Sequence, residues 1–376
     1  MLNLNRKRER AQHSGEDREM AKKIIELKHH VDDYECMWNG IEDLYQERCG
    51  EELPSFFFFC LSGSGNFVYQ KSKEGTPKRF AAWGDGRVKQ MYATLSESVG
   101  FSFKYVENRR FSYAMKVAKE QIDAGHPVVL GPLDMYYLHY YPKIYKKQHI
   151  PIHYIMMVGY DEEKGCAYVH DCGMPGEQEL SFQILQQALD VERTNLGGKN
   201  TVCLIEFKEQ VPDVITLARE NFARKAEFQL NPPVGFLGIR GMQKLADEID
   251  LWKQELSKED YEASLRFLTM FTGTVPCLPE RLLGEPDDGK VLRMCTREKL
   301  AGVLTQLGEQ HDIPAWIKSA DCFMKSGKVM TEMNDVVVEY LLHTETAQPP
   351  VLREYVLQIM EHEKQAYEKM LEGAKN

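Results

Sequence analysis

The chain has 376 residues, 43% of them hydrophobic and 28% charged, with a formal net charge of −10. That length and apolar content suit two domains with substantial cores, while the acidic balance argues against nucleic acid as a general partner, because phosphate binding needs a basic face. No apolar run reaches the roughly 18 residues of a membrane span. The start lacks the apolar segment of a signal peptide. Nine scattered cysteines without a CxxC pair suit a reducing compartment, so the expectation is a cytoplasmic protein.

The opening is basic at Arg6, Lys7, Arg8 and Arg10 but interleaved with Glu9, Glu16 and Asp17, which reads as a solvated terminus. "REMAKKIIELKHH" (18–30) reads as helix, so 1–29 is expected to be a helical N-terminal extension. In "DDYECMWNGIEDLYQERCG", Met37, Trp38, Ile41, Leu44 and Tyr45 share one helical face and Gly50 supplies a stop. Cys36 then falls at the start of that helix. "FFFFCLSGSGNFVY" (56–69) is apolar around a glycine loop, and 88–98 and 111–124 are amphipathic helices. The second carries Phe111, Met115, Ala118 and Ile122 on one face and ends before Gly125.

The texture then changes to strands: "PVVLG" (127–131), "YIMMVGY" (154–160), "CAYVHDC" (166–172) and "VCLIEF" (202–207). The polar turn "DEEKG" (161–165) fits an antiparallel hairpin. Beyond 210 no strong strand signal returns. Met242, Leu245, Ile249, Trp252 and Leu256 form one stripe, Leu352, Val356, Ile359, Tyr367 and Met370 another, and Pro232 with Pro233 marks a break. The fold class is α+β: an antiparallel-sheet domain over 30–210, followed by a mainly α-helical domain over 211–376.

Three residues in this frame carry chemistry. A helix N-terminus favours a thiolate through unpaired amides and the helix dipole, which singles out Cys36. His153 stands at the head of one strand and Asp171 at the foot of the next. Each alone is more often a core or structural residue. Their order and context together give the layout of a papain-like cysteine enzyme, with a nucleophile, a proton carrier and an orienting carboxylate.

The residues "CMWNGIEDLYQERCG", "LSGSGNFVY", "PVVLGPLDMYYLHYYP" and "HYIMMVGYDEEKGCAYVHDCG" resemble the family of the butirosin biosynthesis acyltransferase, BtrH, with its N-terminal papain-like, C39-peptidase-like domain. "NPPVGFLGIRGMQKLADEIDLW" resembles the helical domain that follows in that family. The resemblance implies acyl transfer from a thioester donor, such as a carrier-protein thioester, to an amine acceptor. It implies Cys36 as nucleophile, His153 as base and acid, and Asp171 as orienter, with the Cys36 amide as one oxyanion donor. Two positions depart from the pattern. Glu35 stands where a histidine precedes the cysteine, and an anion beside a thiol disfavours the thiolate unless it points away. His30 stands where related peptidases place an oxyanion-hole glutamine, which leaves the second donor unassigned.

Other signals are weaker. His149, His153 and Cys172 suggest zinc, but Pro151 rules out a helical HxxxH arrangement, so no metal is expected. His170 should point away from the face of Asp171. The loop carrying Gly63 and Gly65 lacks the ending of a phosphate loop and reads as a close backbone passage or part of an acyl channel. "GFLGIRG" has the wrong spacing for a dinucleotide turn, and no cofactor is expected. Asp134, Tyr136 and Tyr137, in "DMYYLHYYP", are candidates to line a substrate pocket. A hydrolase using water as acceptor, and a non-catalytic binding protein with the same shell, are the competing readings. Oligomeric state is not legible.

Overall fold

The computed structural model describes residues 22–32, 35–63, 65–84, 88–192, 197–269, 272 and 296–375. The core of the first half is a seven-stranded antiparallel sheet in the order β4 (Phe101–Val106), β9 (Val202–Phe207), β5 (Val128–Leu133), β6 (His153–Asp161), β7 (Cys166–Asp171), β8 (Met174–Ser181). β1 (Lys22–Ile24) pairs with the far end of β6, opposite Gly159 to Asp161, where β5 no longer reaches. Part of the helix expected over 18–30 lies outside the described residues, and the described part begins with this strand. The physical reason is the open edge of β6: pairing satisfies backbone groups on both chains there, which outweighs a modest local helix preference.

All nine residues of β6 are buried. Tyr154, Met156 and Val158 enter one core, and Ile155 and Met157 enter another on the opposite face. A strand covered on both faces reads as a continuous apolar run, which is why "YIMMV" shows no alternation. One face is covered by α4 (Phe111–Asp123) and α5 (Phe182–Ala188), through Ala114, Met115, Ile122 and Leu185. The other is covered by α1 (Asn39–Cys49), α2 (Phe57–Leu61) and α3 (Val88–Val99). Gly50 closes α1 in the left-handed conformation, at φ 71°. Gly40 lets α1 lie directly on the sheet: a Cβ there would come within 2.5 Å of Met156 Cε.

The second half is helical: α6 (Val214–Leu230), α7 (Gly238–Glu248), α8 (Trp252–Glu255), α9 (Lys258–Thr269), α10 (Thr296–Gln310), α11 (Pro314–Leu342) and α12 (Arg353–Lys375). Pro232 and Pro233 fall between α6 and α7, as the break in the sequence requires. The hairpin of β2 (Phe67–Lys71) and β3 (Arg79–Trp83) packs into this half, with Phe67 and Trp83 against Met242, Trp252 and Met330. α11 and α12 each serve two cores. Their residues Met330, Met333, Val356 and Ile359 belong with the hairpin, while Trp316, Phe323, Tyr367 and Met370 belong with Trp38 and Ile41 of the first half. Between the two cores, Arg297 and Glu363 form a fully buried pair, Nε to Oε1 at 2.7 Å and Nη2 to Oε2 at 2.8 Å. The third guanidinium nitrogen donates to the carbonyl of Gly65 at 2.9 Å. No helix among the described residues is long and apolar enough to cross a membrane.

Candidate functional site

Strand register sets the first two site residues. Met156 lies opposite His170, so Ile155 lies opposite Asp171. His153 is two residues before Ile155 and therefore on the same face, a diagonal cross-strand neighbour of Asp171. The result is a buried pair with His153 Nε2 2.9 Å from each oxygen of Asp171. Asp171 is wholly buried. Tyr140 donates to its Oδ2 at 2.9 Å and Tyr141 to its Oδ1 at 2.7 Å. Burial opposes charge here, but His153 and the two tyrosine hydroxyls hold the Asp171 carboxyl below the usual range.

The other side of the imidazole meets Cys36. Burial works against the imidazolium, yet Asp171 and a side-chain hydrogen bond with Cys36 push His153 up to about 10. Cys36 is half-buried and sits in the helical turn that leads into α1, where the amides of Trp38 and Asn39 both donate to Glu35 O, at 2.8 and 2.9 Å. Tyr92 of α3 braces the same turn by donating to Met37 O at 2.6 Å. The structure thus brings His153 and Asp171 into a hydrogen-bonded pair, with Cys36 beside the same imidazole.

Glu35 is fully buried and turned toward a set of carboxylates. Burial, with Glu42 and Asp32 close by, pushes its carboxyl well above the usual range, which disfavours the charged form. The anion expected beside the thiol is therefore opposed by its own surroundings. Lys299 of α10 adds a positive charge to this region and lies 3.5 Å over the Phe56 ring. His30 is not free to act as an oxyanion donor. Its Nδ1 lies 2.5 Å from Asp43 Oδ1, and its Nε2 lies 3.3 Å from Glu42 and 3.6 Å from Asp32. Despite burial, Asp43 and Glu42 raise it to about 10. His29 continues the network, from Asp43 Oδ2 at 2.9 Å to the carbonyls of Asp171 and Met174, each at 3.1 Å.

His170 points away from Asp171 and stacks on His29 at 4.4 Å; burial and His29 bring it down to about 4. Three groups place potential metal-ligating atoms within 4.8 Å of one another: His29, Asp43 and His170; His153, Asp171 and Cys172; His30, Asp32 and Glu42. Each contains a histidine already paired with a carboxylate.

The remaining expected residues take other places. Asp134 caps the 3₁₀ turn Met135–Tyr137, accepting from Tyr136 N at 3.0 Å, Ile150 N at 2.8 Å and His149 Nδ1 at 2.6 Å. Its oxygens serve the loop rather than a ligand. Tyr136 stacks on His149 at 4.1 Å, with Tyr137 edge-on to Tyr136. Gly65 receives Arg297, and Gly63 lines a cavity facing α6. Tyr140 and Tyr141 are the residues that sequence reading missed. Their only signal was membership of the aromatic cluster around Asp134.

No curated protein matches the chain at a significant level. Residues 35–172 match the family model described as Butirosin biosynthesis protein H, N-terminal. Residues 185–274 match a second, described as Domain of unknown function (DUF4872). The first match begins at the residue before Cys36 and ends at the residue after Asp171, and with the second following it into the helical half, the chain belongs to the BtrH-like family.

Proposed function

We propose that the chain is a cysteine-dependent acyltransferase with a papain-like catalytic arrangement, moving an acyl or aminoacyl group from a thioester to an amine. The observation that carries this reading is the line from Cys36 through His153 to an Asp171 held by two tyrosines. In the first half-reaction the Cys36 thiolate attacks the thioester carbonyl. The C–S bond of the donor breaks, and His153 gives its proton to the departing thiol. This leaves an acyl-Cys36 and a neutral imidazole. In the second, the amine attacks the acyl carbon while His153 takes its proton. The amide forms and the Cys36 thiolate leaves, restoring the starting pair. Asp171 fixes the ring so that the nitrogen facing the sulfur is the one that carries the proton back and forth.

Local charge supports a carrier-bound donor. Residues 135–160 contain no acidic side chain, although the protein as a whole is acidic, and Lys143, Lys146 and Lys147 stand exposed on the loop that ends in His153. An acidic carrier protein is drawn to such a patch, which governs encounter rate more than final affinity. The family name, with its reference to biosynthesis, supports a transfer reaction that builds a product over a hydrolytic one.

The test is a mass measurement on the intact protein with a simple acyl thioester. An adduct should accumulate on wild-type protein, be absent from Cys36→Ala, and be released faster when a primary amine is added. Release at one rate with and without every amine tried would favour a hydrolase. An unoxidised Cys36 that never forms an adduct would leave only the binding-protein reading.

A further inference from the structure

Three carboxylates, from Asp32, Glu35 and Glu42, gather with His30 at the turn that leads into α1. Glu35 is 0% exposed, and among the described residues neither of its oxygens has a hydrogen-bond donor. The group it meets first is the Glu42 carboxyl, another acceptor, with Asp32 next and Lys299 acting on it from α10. A buried acid in that company needs a proton or a cation. The other three side chains are held from outside. Glu42 accepts from Phe58 N through Oε1 at 2.5 Å, which leaves Oε2 toward His30. Asp32 Oδ2 accepts from Phe56 N at 2.8 Å. His30 Nδ1 lies 2.5 Å from Asp43 Oδ1, while Asn39 Nδ2, which donates to His30 O at 2.9 Å, stands 3.4 Å from Nε2. From Nε2 to Glu42 Oε2 is 3.3 Å, and to Asp32 Oδ2 3.6 Å. These separations are long for hydrogen bonds. They are close to the edge of a tetrahedron whose corners lie about 2.0–2.1 Å from a central ion, an edge of roughly 3.4 Å.

We propose that Asp32, Glu35, Glu42 and His30 Nε2 form a binding site for one divalent transition-metal ion such as zinc. One imidazole with three carboxylates suits such an ion, whereas magnesium and calcium prefer larger, all-oxygen shells. Asp43 on Nδ1 is then the carboxylate that orients a ligating histidine. The ion takes the place of the Nε2 proton, so binding releases a proton, and His30 is the counter-ion of the metal-free form. The other two metal-capable groups among the described residues differ. His29 and His170 stack at 4.4 Å and 24°, so their in-plane lone pairs cannot meet at one ion. His153, Asp171 and Cys172 belong to the site already described. Four protein donors close the set to substrate, the pattern of a structural ion. What the ion fixes is Glu35, whose carbonyl accepts from Trp38 N and Asn39 N and whose next residue is Cys36. Nothing in this assignment depends on the acyl-transfer reading.

The experiment strips the full chain with a chelator and titrates it with Co²⁺, Zn²⁺ and Mg²⁺. Co²⁺ should give the intense visible bands of a tetrahedral site, saturating at one ion per chain, without the near-ultraviolet band of a thiolate ligand. Zn²⁺ should displace it, bind in the micromolar range or tighter, and release about one proton per ion near pH 7. Mg²⁺ should not compete at about 1 mM. Glu35→Gln should weaken Zn²⁺ binding about tenfold or more, and Asp43→Asn, acting through His30, about tenfold. Glu42→Gln should match Glu35→Gln and serves if that variant does not fold. Cys36→Ala should bind as wild type. No binding of Co²⁺ or Zn²⁺ up to about 1 mM, a thiolate band, or affinity unchanged in the Glu35→Gln and Glu42→Gln variants would overturn the assignment. The first of these outcomes would leave Glu35 and Glu42 sharing a proton instead.

Discussion

Two histidines beside α1 share a charge state and differ in everything that matters for chemistry. His153 and His30 are both raised to about 10 by neighbouring carboxylates. His153 meets one carboxylate through Nε2 and keeps its other nitrogen for a thiol. His30 has carboxylates at both nitrogens, Asp43 on one side and Glu42 with Asp32 on the other. In the proposed mechanism the first hands a proton to sulfur and takes it back, while the second is an internal counter-ion that lets several acids be buried together. A perturbed pKa therefore marks both places, and only the unspoken-for ring nitrogen separates a site of chemistry from a structural charge cluster.

The contrast can be broken at several points. The largest effect is expected from Asp171→Asn. Turnover should fall by up to about 10⁴-fold, because the wrong imidazole tautomer faces the sulfur. Circular dichroism should stay native, and unchanged turnover would remove Asp171 from the proposed machinery. Next is Asp43→Ala, which strips the shared partner from His29 and His30. A loss of about 3–5 kcal/mol in denaturant unfolding is expected, the range for breaking a buried ion pair; a loss below about 1 kcal/mol would show the cluster to be well solvated. Smaller still is the effect on Cys36 alkylation at neutral pH. His153→Ala should slow it about tenfold, since thiolate fraction sets the rate, whereas His30→Gln should change it less than about twofold. Similar slowing by both variants would erase the distinction between the two histidines.

The gentlest test is pH. Each histidine is raised above its ordinary value of about 6.5, so its contribution to stability is fully present below that pH and is lost as pH rises through about 10. The melting temperature should therefore decline across that window. His30→Gln should flatten the decline without moving the pH profile of turnover. A decline as steep as that of wild type would mean that His30 is neutral in the folded protein.

The legible parts of the sequence were those governed by local period. The face of α1, the Gly50 stop, the apolar runs of β5, β6, β7 and β9, and the stripes of the helical half all follow from spacing within a short window. β1 was not legible as a strand because its reason to exist is the free edge of β6, far along the chain. β8 escaped because an edge strand carrying Pro175 and Gly176 and largely exposed side chains has no apolar alternation to read. At the site, spacing was enough to nominate Cys36, His153 and Asp171. It could not say which tyrosines of the aromatic cluster turn inward, since the 3₁₀ turn at Met135–Tyr137 decides that. Nor could it show that Glu42 and Asp43 point into the protein; two acids in a helix ordinarily read as its wet face, and only the His29–His30 pair upstream hinted otherwise.

The core around Trp38 has a consequence for how the protein is made. It is closed by Trp316, Phe323, Tyr367 and Met370, which lie near the other end of the chain. A ribosome adding roughly 5–20 residues per second needs on the order of tens of seconds to get from one to the other. Throughout that interval the first half's core lacks the residues that complete it. The order of synthesis therefore leaves an apolar surface of the first half open until the last helices have packed.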